Sequence, residues 1–280
     1  MNVRHCLNHC EVPTMRAVIK IYFFLLSRVW PKMAAMQAGK LLFTPQLPVN
    51  NVEIPDPDEV LHVSEETCVK VWRGTGPTIM LLHGWSGSVS QFSDLLTRLL
   101  QHDYRVIAPV PKGHHYQGEC LSHPGEFIRA VEHVLSSQAV EVHAAIGHSL
   151  GGAALALHNI RDSRFNKLVL VGAPANLTGV LNRFASMLGL NQRSLDALYD
   201  VADNRVGTSH RVLDASGNLS RIAKQALVVH DTQDKEVPFG DAEQFVTTYP
   251  YARLYKTEGL GHRRILNSPA VIDEIIDFIQ

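Results

Sequence analysis

The fold is decided by the stretch VEVHAAIGHSLGGAALA, residues 140–156. Its first part, Val140 to Ile146, is short and mostly apolar, which is typical of a strand buried in a sheet. The small-residue segment that follows, Gly151 to Ile160, is typical of a buried helix. Glycines flank the junction. The stretch therefore predicts a strand that turns sharply into a helix, with Ser149 at the turn.

The serine lies in the pattern Gly147-His148-Ser149-Leu150-Gly151. A serine on a sharp strand-to-helix turn needs strained backbone angles, and flanking glycines let the strand and the helix approach closely. The helix then directs free amides and the positive end of its dipole at the serine. We therefore predict that Ser149 is a nucleophile rather than a structural serine, and that His148 shapes the substrate pocket.

A serine hydroxyl becomes a strong nucleophile when a neighbouring base accepts its proton. The chain has 15 histidines, and the base must come from a loop at the carboxyl edge of the sheet. His262 meets this condition because it ends the glycine-rich loop EGLGH, residues 258–262, between the last predicted strand and the last predicted helix. We predict His262 as the base. Four other histidines in or beside core strands are interpreted as packing residues or loop anchors: His83, His143, His148 and His230.

The acid of such a site orients the imidazole and stabilises its charged form. The loop after the strand ending at Val229 offers Asp231, Asp234 and Glu236. Asp231 adjoins the strand end, where local backbone hydrogen bonds compete for its carboxylate. Asp234 lies farther out, within reach of the His262 loop, and we predict it as the acid, with Asp231 as the alternative. The order serine, aspartate, histidine is the order expected of such a fold.

Acyl transfer builds negative charge on a carbonyl oxygen, and two preorganised backbone amides normally bind it. One is expected from Leu150, directly after the serine. The other is assigned to Trp85 in the loop HGWSGS, residues 83–88. The indole of Trp85 is also expected to form a wall of the substrate pocket. The alternative is that this loop is only a glycine-rich turn.

Apolar strand-like segments alternate with helix-like segments over most of the chain. Apolar strands separated by helices indicate a mainly parallel sheet covered on both faces. We therefore predict an α/β fold with a doubly wound sheet. The predicted strands are Cys68–Trp72, Thr78–Leu82, Arg105–Val110, Val140–Ile146, Lys167–Val171, Ala226–Val229 and Ala252–Tyr255. The first of them has the alternation of an exposed strand.

This alternation stops over residues 176–220, where helix-like segments precede polar, turn-rich sequence. We predict a small helical cap in this range, inserted into a core formed by residues 51–175 and 221–280. The cap is expected to lie over the ends of the strands. Its apolar side chains would roof the pocket, and Leu181 and Phe184 are predicted to bind substrate.

Together these segments resemble the α/β-hydrolase superfamily over about residues 60–280. The resemblance is carried by His83-Gly84-Trp85, by residues 147–152, by HDTQDKEVP at 230–238 and by Gly261-His262. It implies an eight-stranded, mostly parallel sheet, an ester-type substrate, and neither a metal nor an organic cofactor. One loop, PKGHHY at 111–116, departs from the pattern of many relatives. Its histidines, His114 and His115, are expected in solvent, and the alternative is that one of them lies in the pocket.

Composition argues against several other functions. The formal net charge is −1 and charged residues are spread along the chain, so no nucleic-acid partner is predicted. The four cysteines fit reduced thiols better than a disulfide framework. Cys6 and Cys10 lie near two histidines, His5 and His9, but their spacing matches no common zinc pattern, and a frayed terminus is favoured.

Residues 1–50 are predicted to form an N-terminal extension with an apolar helix from Ala17 to Trp30. Its apolar run, IYFFLL at 21–26, is bracketed by Lys20 and Arg28 and is shorter than the roughly 20 residues of a membrane span. We favour a helix packed on the domain. A peripheral membrane contact is the first alternative and a secretion signal the second. The expected location is cytoplasmic, with membrane association under the first alternative.

The sequence thus predicts an enzyme that cleaves small carboxylic esters through an acyl-enzyme. A thioesterase, an amidase, a carbon–carbon hydrolase or an acyltransferase would use the same three side chains. A ligand-binding receptor that keeps the fold without rapid turnover is the alternative from another class. The identity of the substrate depends on the shape of the cap and pocket, and neither it nor the oligomeric state follows from the sequence.

Overall fold

A computed structural model describes residues 15–46, 52–114, 121–137, 141–158, 165–218, 225–249 and 251–280. Its strands are β1 (Glu59–His62), β2 (Cys68–Trp72), β3 (Thr78–Leu82), β4 (Arg105–Val110), β5 (Val142–His148), β6 (Phe165–Val171), β7 (Gln225–Asp231) and β8 (Ala252–Thr257). Its helices are α1 (Met15–Val29), α2 (Pro31–Leu42), α3 (Ser93–Gln101), α4 (Pro124–Ser137), α5 (Leu150–His158), α6 (Leu177–Leu188), α7 (Gln192–Val206), α8 (Ala215–Asn218), α9 (Phe239–Thr248), α10 (Gly261–Arg264) and α11 (Pro269–Ile279).

Within these described ranges the strands form one eight-stranded sheet in the order β1-β2-β4-β3-β5-β6-β7-β8. β2 pairs antiparallel with β1 and with β4 at one edge. All other neighbours pair in parallel, which requires crossover connections, and here helices supply them. The predicted α/β fold with a doubly wound, mostly parallel eight-stranded sheet is confirmed.

Alternate residues of the central strands face two different layers of helices. In β3, Leu82 belongs to the core cluster that contains Phe127 of α4. Its neighbour Leu81 belongs to the opposite cluster, which contains Ile275 of α11. All five residues of β3 are buried, and this two-sided cover explains why the strand is apolar from Ile79 to Leu82.

The burial of β2, near one edge of the sheet, differs from the prediction made from the sequence. Val69 and Val71 lie in the core on one face of the sheet, and Trp72 lies in the core on the other. The expectation of an exposed strand is therefore wrong, because β1 and β4 flank β2 and both its faces are covered. The prediction also missed β1, whose short, half-polar sequence (residues 59–62) has the half-exposed pattern of an edge strand.

Residues 176–218, between β6 and β7, form α6, α7, a 3₁₀ turn and α8. Side-chain oxygens of Asn176 and Asn191 accept hydrogen bonds from first-turn amides of α6 and α7, at 2.8 and 2.9 Å. Gly189 and Gly207 end these helices in the left-handed conformation, with φ of 72° and 79°. Asparagine at the start and glycine at the end explain why helices form in this segment.

The N-terminal helices pack mainly on that helical segment. Phe23 of α1 and Ala35 and Ala38 of α2 share a buried cluster with Leu188 of α6 and Leu198 of α7. The apolar N-terminal helix is therefore packed on the domain. Among the helices described, none combines the length and the apolar character that crossing a membrane requires.

Small residues allow α2 to approach α7 closely. A Cβ atom added to Gly39 would lie 2.6 Å from Cγ1 of Val201, well inside van der Waals contact. The side-chain amide of Asn191 also donates a hydrogen bond of 2.7 Å to the carbonyl of Ser27. Packing and hydrogen bonding thus join two parts of the chain that are distant in sequence.

Candidate active site

Ser149 lies between the carboxyl end of β5 and the start of α5. Its φ is 51°, a left-handed conformation that costs roughly 1–2 kcal/mol for a residue with a Cβ atom. The backbone is held there by two hydrogen bonds, from the amide of Ser149 to Val171 (2.9 Å) and from the amide of Ala153 to Ser149 (3.1 Å). The turn leaves Ser149 on the wall of the main cavity.

The glycines around the serine have no room for a side chain. A Cβ on Gly151 would lie 2.2 Å from the carbonyl oxygen of Leu82, and one on Gly147 would lie 2.5 Å from Cα of Gly152. Both obstacles are backbone atoms, which cannot rotate away. The glycine spacing is therefore a packing requirement of the turn that carries the serine.

His262 and Asp234 form a hydrogen-bonded pair beside the same cavity. Nδ1 of His262 lies 2.7 Å from Oδ2 of Asp234, and the two side chains are only 6% and 1% exposed. Because a carboxylate can only accept, the neutral ring carries its proton on Nδ1, and Nε2 remains an acceptor. His262 and Ser149 line one cavity, so the structure brings the three predicted residues to one site.

Glycines make room for this pair. Gly259 and Gly261 have φ of 83° and 68°, which lets the chain bend between β8 and α10. On the opposite side, a Cβ on Gly172 would lie 3.2 Å from Nδ1 of His262 and 3.6 Å from Oδ2 of Asp234. A side chain at that position would crowd the hydrogen bond between them.

The second oxygen of the Asp234 carboxylate is also satisfied. Oδ1 accepts hydrogen bonds from the amides of Glu236 (2.8 Å) and Val237 (2.9 Å). Burial raises the pKa of the Asp234 carboxyl, but the hydrogen bonds from His262 and these amides outweigh burial, so the pKa lies below its ordinary value. The carboxylate is therefore charged at neutral pH and stabilises a protonated His262.

Asp231, the alternative acid, has other partners. Its Oδ2 accepts from the hydroxyl of Thr257 (2.8 Å) and the amide of Leu260 (2.9 Å), and its Oδ1 from the amide of Gln233 (2.9 Å). These bonds join the end of β7 to β8 and to the loop before His262. Asp231 thus holds the loop, and Asp234 is the carboxylate that contacts the imidazole.

The loop at residues 83–88 places Trp85 on the cavity wall. The amide of Ser86 donates to Nε2 of His114 (3.2 Å). Within the described ranges, the amide of Trp85 has no hydrogen-bond partner. The amide of Leu150 is at the first position of α5, where no intrahelical acceptor exists. These two amides remain our prediction for the oxyanion site.

His114 packs behind that loop. Its ring lies 5.3 Å from the indole of Trp85, 5.2 Å from the ring of His83 and 5.0 Å from the ring of Phe127. Only 6% of the residue is exposed. His114 is thus not exposed to solvent, and it is not among the residues lining the main cavity either, so neither expectation for His114 is met. His115 lies outside the described residues.

His148 lies against the His262 loop. Its Nε2 is 2.9 Å from the carbonyl oxygen of His262. Burial, reinforced by the charge of His262, lowers the pKa of His148 to about 3, so the neutral ring donates from Nε2 to that carbonyl. His148 is not among the residues lining the main cavity. The structure thus gives it a positioning contact in place of the predicted substrate contact.

The site opens into a cavity of about 880 Å³ with mainly apolar walls. Leu181 and Phe184, predicted to bind substrate, both lie on its wall. The N-terminal segment adds Lys20, Leu42 and Phe43, which the sequence prediction missed. No local pattern points to these residues, because they reach the cavity through packing between α1, α2 and the helical segment that follows β6.

Within the described residues no group of three or more histidine, cysteine or acidic side chains is arranged to hold a metal ion. The cluster of His5, Cys6, His9 and Cys10 lies outside the described residues. Cys68 is buried in β2.

Known proteins resemble this chain in sequence. Residues 79–274 match the alpha/beta hydrolase family. A non-heme haloperoxidase of Rhodococcus erythropolis is 29% identical over 267 residues, which cover 77% of this chain and 96% of the relative. A pimeloyl-[acyl-carrier protein] methyl ester esterase of Aromatoleum aromaticum is 26% identical over 239 residues, covering 69% and 94%.

Solved structures share the fold at lower identity. Alpha/beta hydrolase domain-containing protein 10 from mouse has a TM-score of 0.61 and 16% identity, with 79% of this chain and 99% of that chain covered. Est1E of Butyrivibrio proteoclasticus, with ferulic acid bound, has a TM-score of 0.60 and 17% identity, covering 81% and 99%. The family match runs from β3 into α11 and includes the serine turn and both loops described above. The chain belongs to the alpha/beta hydrolase family.

Proposed function

We propose that the chain hydrolyses carboxylic esters, with Ser149 as nucleophile, His262 as base and Asp234 as the acid that orients His262. The hydrogen bond of 2.7 Å between His262 and Asp234, beside a serine held at a φ of 51°, is the observation that carries the proposal. An oriented imidazole next to a serine is the arrangement that activates a hydroxyl. Esterases among the similar proteins support the substrate class.

In the acylation half, Oγ of Ser149 bonds to the ester carbonyl carbon while its proton moves to Nε2 of His262. The carbonyl oxygen becomes an oxyanion, which the amides of Trp85 and Leu150 bind. Losing one such donor removes on the order of 3 kcal/mol of transition-state stabilisation. His262 then returns the proton to the alcohol oxygen as the carbon–oxygen bond breaks. The alcohol leaves and the acyl group stays on Ser149.

In the deacylation half, water attacks the acyl carbon while one of its protons moves to Nε2 of His262. The same two amides bind the second oxyanion. The bond to Oγ of Ser149 then breaks, Oγ takes the proton back from His262, and the carboxylic acid leaves. Asp234 keeps the other ring proton on Nδ1 throughout, so the ring presents Nε2 in both halves.

The cavity favours acyl groups with apolar surface. Leu181, Phe184 and Phe43 lie on its walls, and each methylene transferred from water to such a surface contributes about 0.8 kcal/mol. We therefore expect acyl chains of several carbons to be preferred over acetyl. The preference is supported by the wall composition and is independent of the leaving alcohol.

The proposal is tested with chromogenic nitrophenyl esters and with a fluorophosphonate probe, which labels activated serines. Ser149→Ala is compared with the wild type and with Ser64→Ala, a serine in the turn between β1 and β2. We expect the wild type and Ser64→Ala to turn over and to label. Ser149→Ala is expected to lose on the order of 10³-fold or more in kcat. Equal turnover by Ser149→Ala and the wild type contradicts the proposal, and an unlabelled wild type favours a receptor.

A second candidate uses the same serine with a different acceptor. Two similar proteins are named non-heme haloperoxidase and non-heme chloroperoxidase. Hydrogen peroxide in place of water would attack the acyl-enzyme and release Ser149 and a peracid. The peracid would then oxidise halide to hypohalite and become the carboxylic acid. Bromination that needs both peroxide and an acyl donor, and that Ser149→Ala lacks, supports this candidate.

Other acyl substrates would use the same site. A thioester, an amide or a cleavable carbon–carbon bond places a different leaving group at the same carbonyl, and an acyltransferase replaces water by an alcohol. A panel with one acyl group and varied leaving groups separates these activities. Carboxylic esters with the highest kcat/KM in that panel are the expected result.

A further inference from the structure

The first two helices carry an exposed apolar face. Its members in α1 recur every three or four residues, so they form one stripe along the helix. All of them are between 47% and 65% exposed. We define this hairpin face as Val18, Ile21, Tyr22, Leu25, Val29, Trp30, Met33 and Met36.

The stripes of the two helices lie side by side. The chain turns at Trp30 and Pro31, between α1 and α2. The hydroxyl of Tyr22 donates a hydrogen bond of 2.7 Å to Oε1 of Gln37, and this contact is exposed. The apolar residues of α1 and α2 therefore form one continuous surface.

Apart from Phe23, the buried residues of the hairpin are small, and most of its large apolar residues are exposed. The buried small residues of the two helices are Ser27, Ala34, Ala35, Ala38 and Gly39. A helix pair that meets only water normally shows the reverse pattern. Of the seventeen exposed large apolar side chains in the described part of the chain, twelve lie between Met15 and Leu41. This concentration points to a nonaqueous neighbour.

Charge indicates what that neighbour is. Between Glu11 and Glu53 the sequence contains five basic residues and no acidic residue, although the whole chain has a formal net charge of −1. The expected even spread of charge thus does not hold in this segment. Arg28, Lys32 and Lys40 are all exposed on the two helices. Two copies of this cationic face would repel each other, which disfavours a second copy of the chain as its cover.

We propose that the hairpin face docks on the surface of a membrane that contains anionic lipids. Apolar side chains on one side of a helix enter the boundary between headgroups and acyl chains, and neighbouring basic residues attract anionic headgroups. Each basic residue near such a surface contributes about 1 kcal/mol, or roughly fivefold in partitioning. Trp30, 65% exposed at the turn, is placed as interfacial tryptophans are. The proposal does not depend on the proposed ester hydrolysis.

Vesicle flotation tests the apolar contribution. The full chain is mixed with phosphatidylcholine vesicles that contain or lack one third phosphatidylglycerol. We expect binding to the anionic vesicles, and at least about tenfold weaker partitioning for the double variant Leu25→Ser, Trp30→Ser. Tyr251→Ser, which also removes an exposed aromatic residue (74% exposed) but outside the hairpin, is the matched control and should bind like the wild type.

A second pair of variants tests the charge contribution. Lys32→Gln with Lys40→Gln should lower partitioning on anionic vesicles by at least about tenfold. Arg211→Gln with Lys256→Gln removes two exposed charges elsewhere and should have no such effect. Vesicle binding should also shift tryptophan emission to shorter wavelength, and Trp30→Phe should abolish the shift while flotation persists.

Several outcomes would overturn the proposal. One is that the wild type does not bind vesicles, and another is that the Leu25→Ser, Trp30→Ser variant binds as well as the wild type. A third is that Arg211→Gln with Lys256→Gln weakens binding as much as Lys32→Gln with Lys40→Gln. A dimer in gel filtration that the Leu25→Ser, Trp30→Ser variant dissociates, without vesicle binding by the wild type, assigns the face to a second copy instead. Unfolding midpoints equal to that of the wild type show that a variant is folded, so that weaker vesicle binding comes from the changed surface and not from loss of structure.

Discussion

Asp231 and Asp234 belong to one loop, yet their carboxylates have different partners. Asp234 contacts the imidazole of His262, whereas Asp231 accepts a hydroxyl and two amides that fix the neighbouring loop. The positions of the two residues in the sequence do not show which carboxylate contacts His262. The difference in their hydrogen bonds predicts a difference in what their loss affects.

We expect Asp234→Asn to lower kcat on the order of 10³- to 10⁴-fold. The uncharged asparagine side chain would neither fix the proton of His262 on Nδ1 nor stabilise the positive charge of a protonated His262. Asp231→Asn should instead lower the free energy of unfolding by about 1–3 kcal/mol, because buried donors lose their acceptor. Steady-state kinetics and urea unfolding measure the two effects. A larger loss of kcat in Asp231→Asn than in Asp234→Asn would assign the acid to Asp231.

Burial of a neutral His148 predicts a pH dependence of stability. Its pKa in the folded protein is about 3, below the ordinary 6.5, so its contribution is complete above pH 6.5 and is lost as the pH falls towards 3. We expect the free energy of unfolding to fall below pH 6.5 by up to about 1.4 kcal/mol per pH unit from this residue. His148→Gln, which keeps a donor for the His262 carbonyl, should show a shallower fall.

Urea unfolding between pH 4 and pH 6.5 measures this difference before most carboxylates titrate. Burial also lowers the pKa of His123, but that contribution is common to both proteins. Parallel pH curves for the wild type and His148→Gln would show that His148 is not a buried neutral ring.

The residues proposed to react were easier to find in the sequence than the residues that pack behind them. Ser149 and His262 lie in short patterns with glycines at required positions, so the local sequence carries the signal. The contact of His148 with the carbonyl of His262 and the packing of His114 behind Trp85 join loops that are far apart in sequence. No local pattern encodes such contacts, because they depend on how the strands are ordered.

At the scale of elements, α2 packs directly on α7 where Gly39 faces Val201. We expect Gly39→Leu to lower the free energy of unfolding by about 1–3 kcal/mol, because the new side chain would overlap Val201. Adding Val201→Ala should restore part of the loss, since it removes the atom nearest to position 39. Urea unfolding of both single variants and the double variant measures the coupling, and strict additivity would argue against direct contact.

The central strands were predictable from composition, whereas the edge strand β1 and the burial of its neighbour β2 were not. The central strands β3, β5, β6 and β7 are mostly apolar because both their faces are covered, and this pattern is visible in the sequence. The burial of β2 depends on its neighbours β1 and β4. The sequence of residues 59–62 shows no strand pattern strong enough to indicate β1.

At the scale of the whole molecule, the cavity wall combines the core, the helical segment after β6, and the N-terminal hairpin. Phe184 lies on the wall and is only partly buried. We expect Phe184→Ala to raise KM for an octanoyl ester by about tenfold or more, from lost apolar contact, and to leave KM for an acetyl ester within about twofold. Initial-rate kinetics over a series of acyl lengths measures this, and equal changes at every length would place the acyl group elsewhere.

Two separate stretches of the chain form the wall of the cavity beside the proposed reacting groups. Lys20, Leu42 and Phe43 lie on the cavity wall, yet they precede the family match, which begins at residue 79. Part of the wall of the proposed substrate cavity thus comes from a segment that precedes the family match, whereas the proposed reacting groups lie within that match. Chimeras that exchange the leading helices together with the α7 residues they contact, such as Val201, are therefore a route to altered selectivity that leaves the proposed reacting groups unchanged.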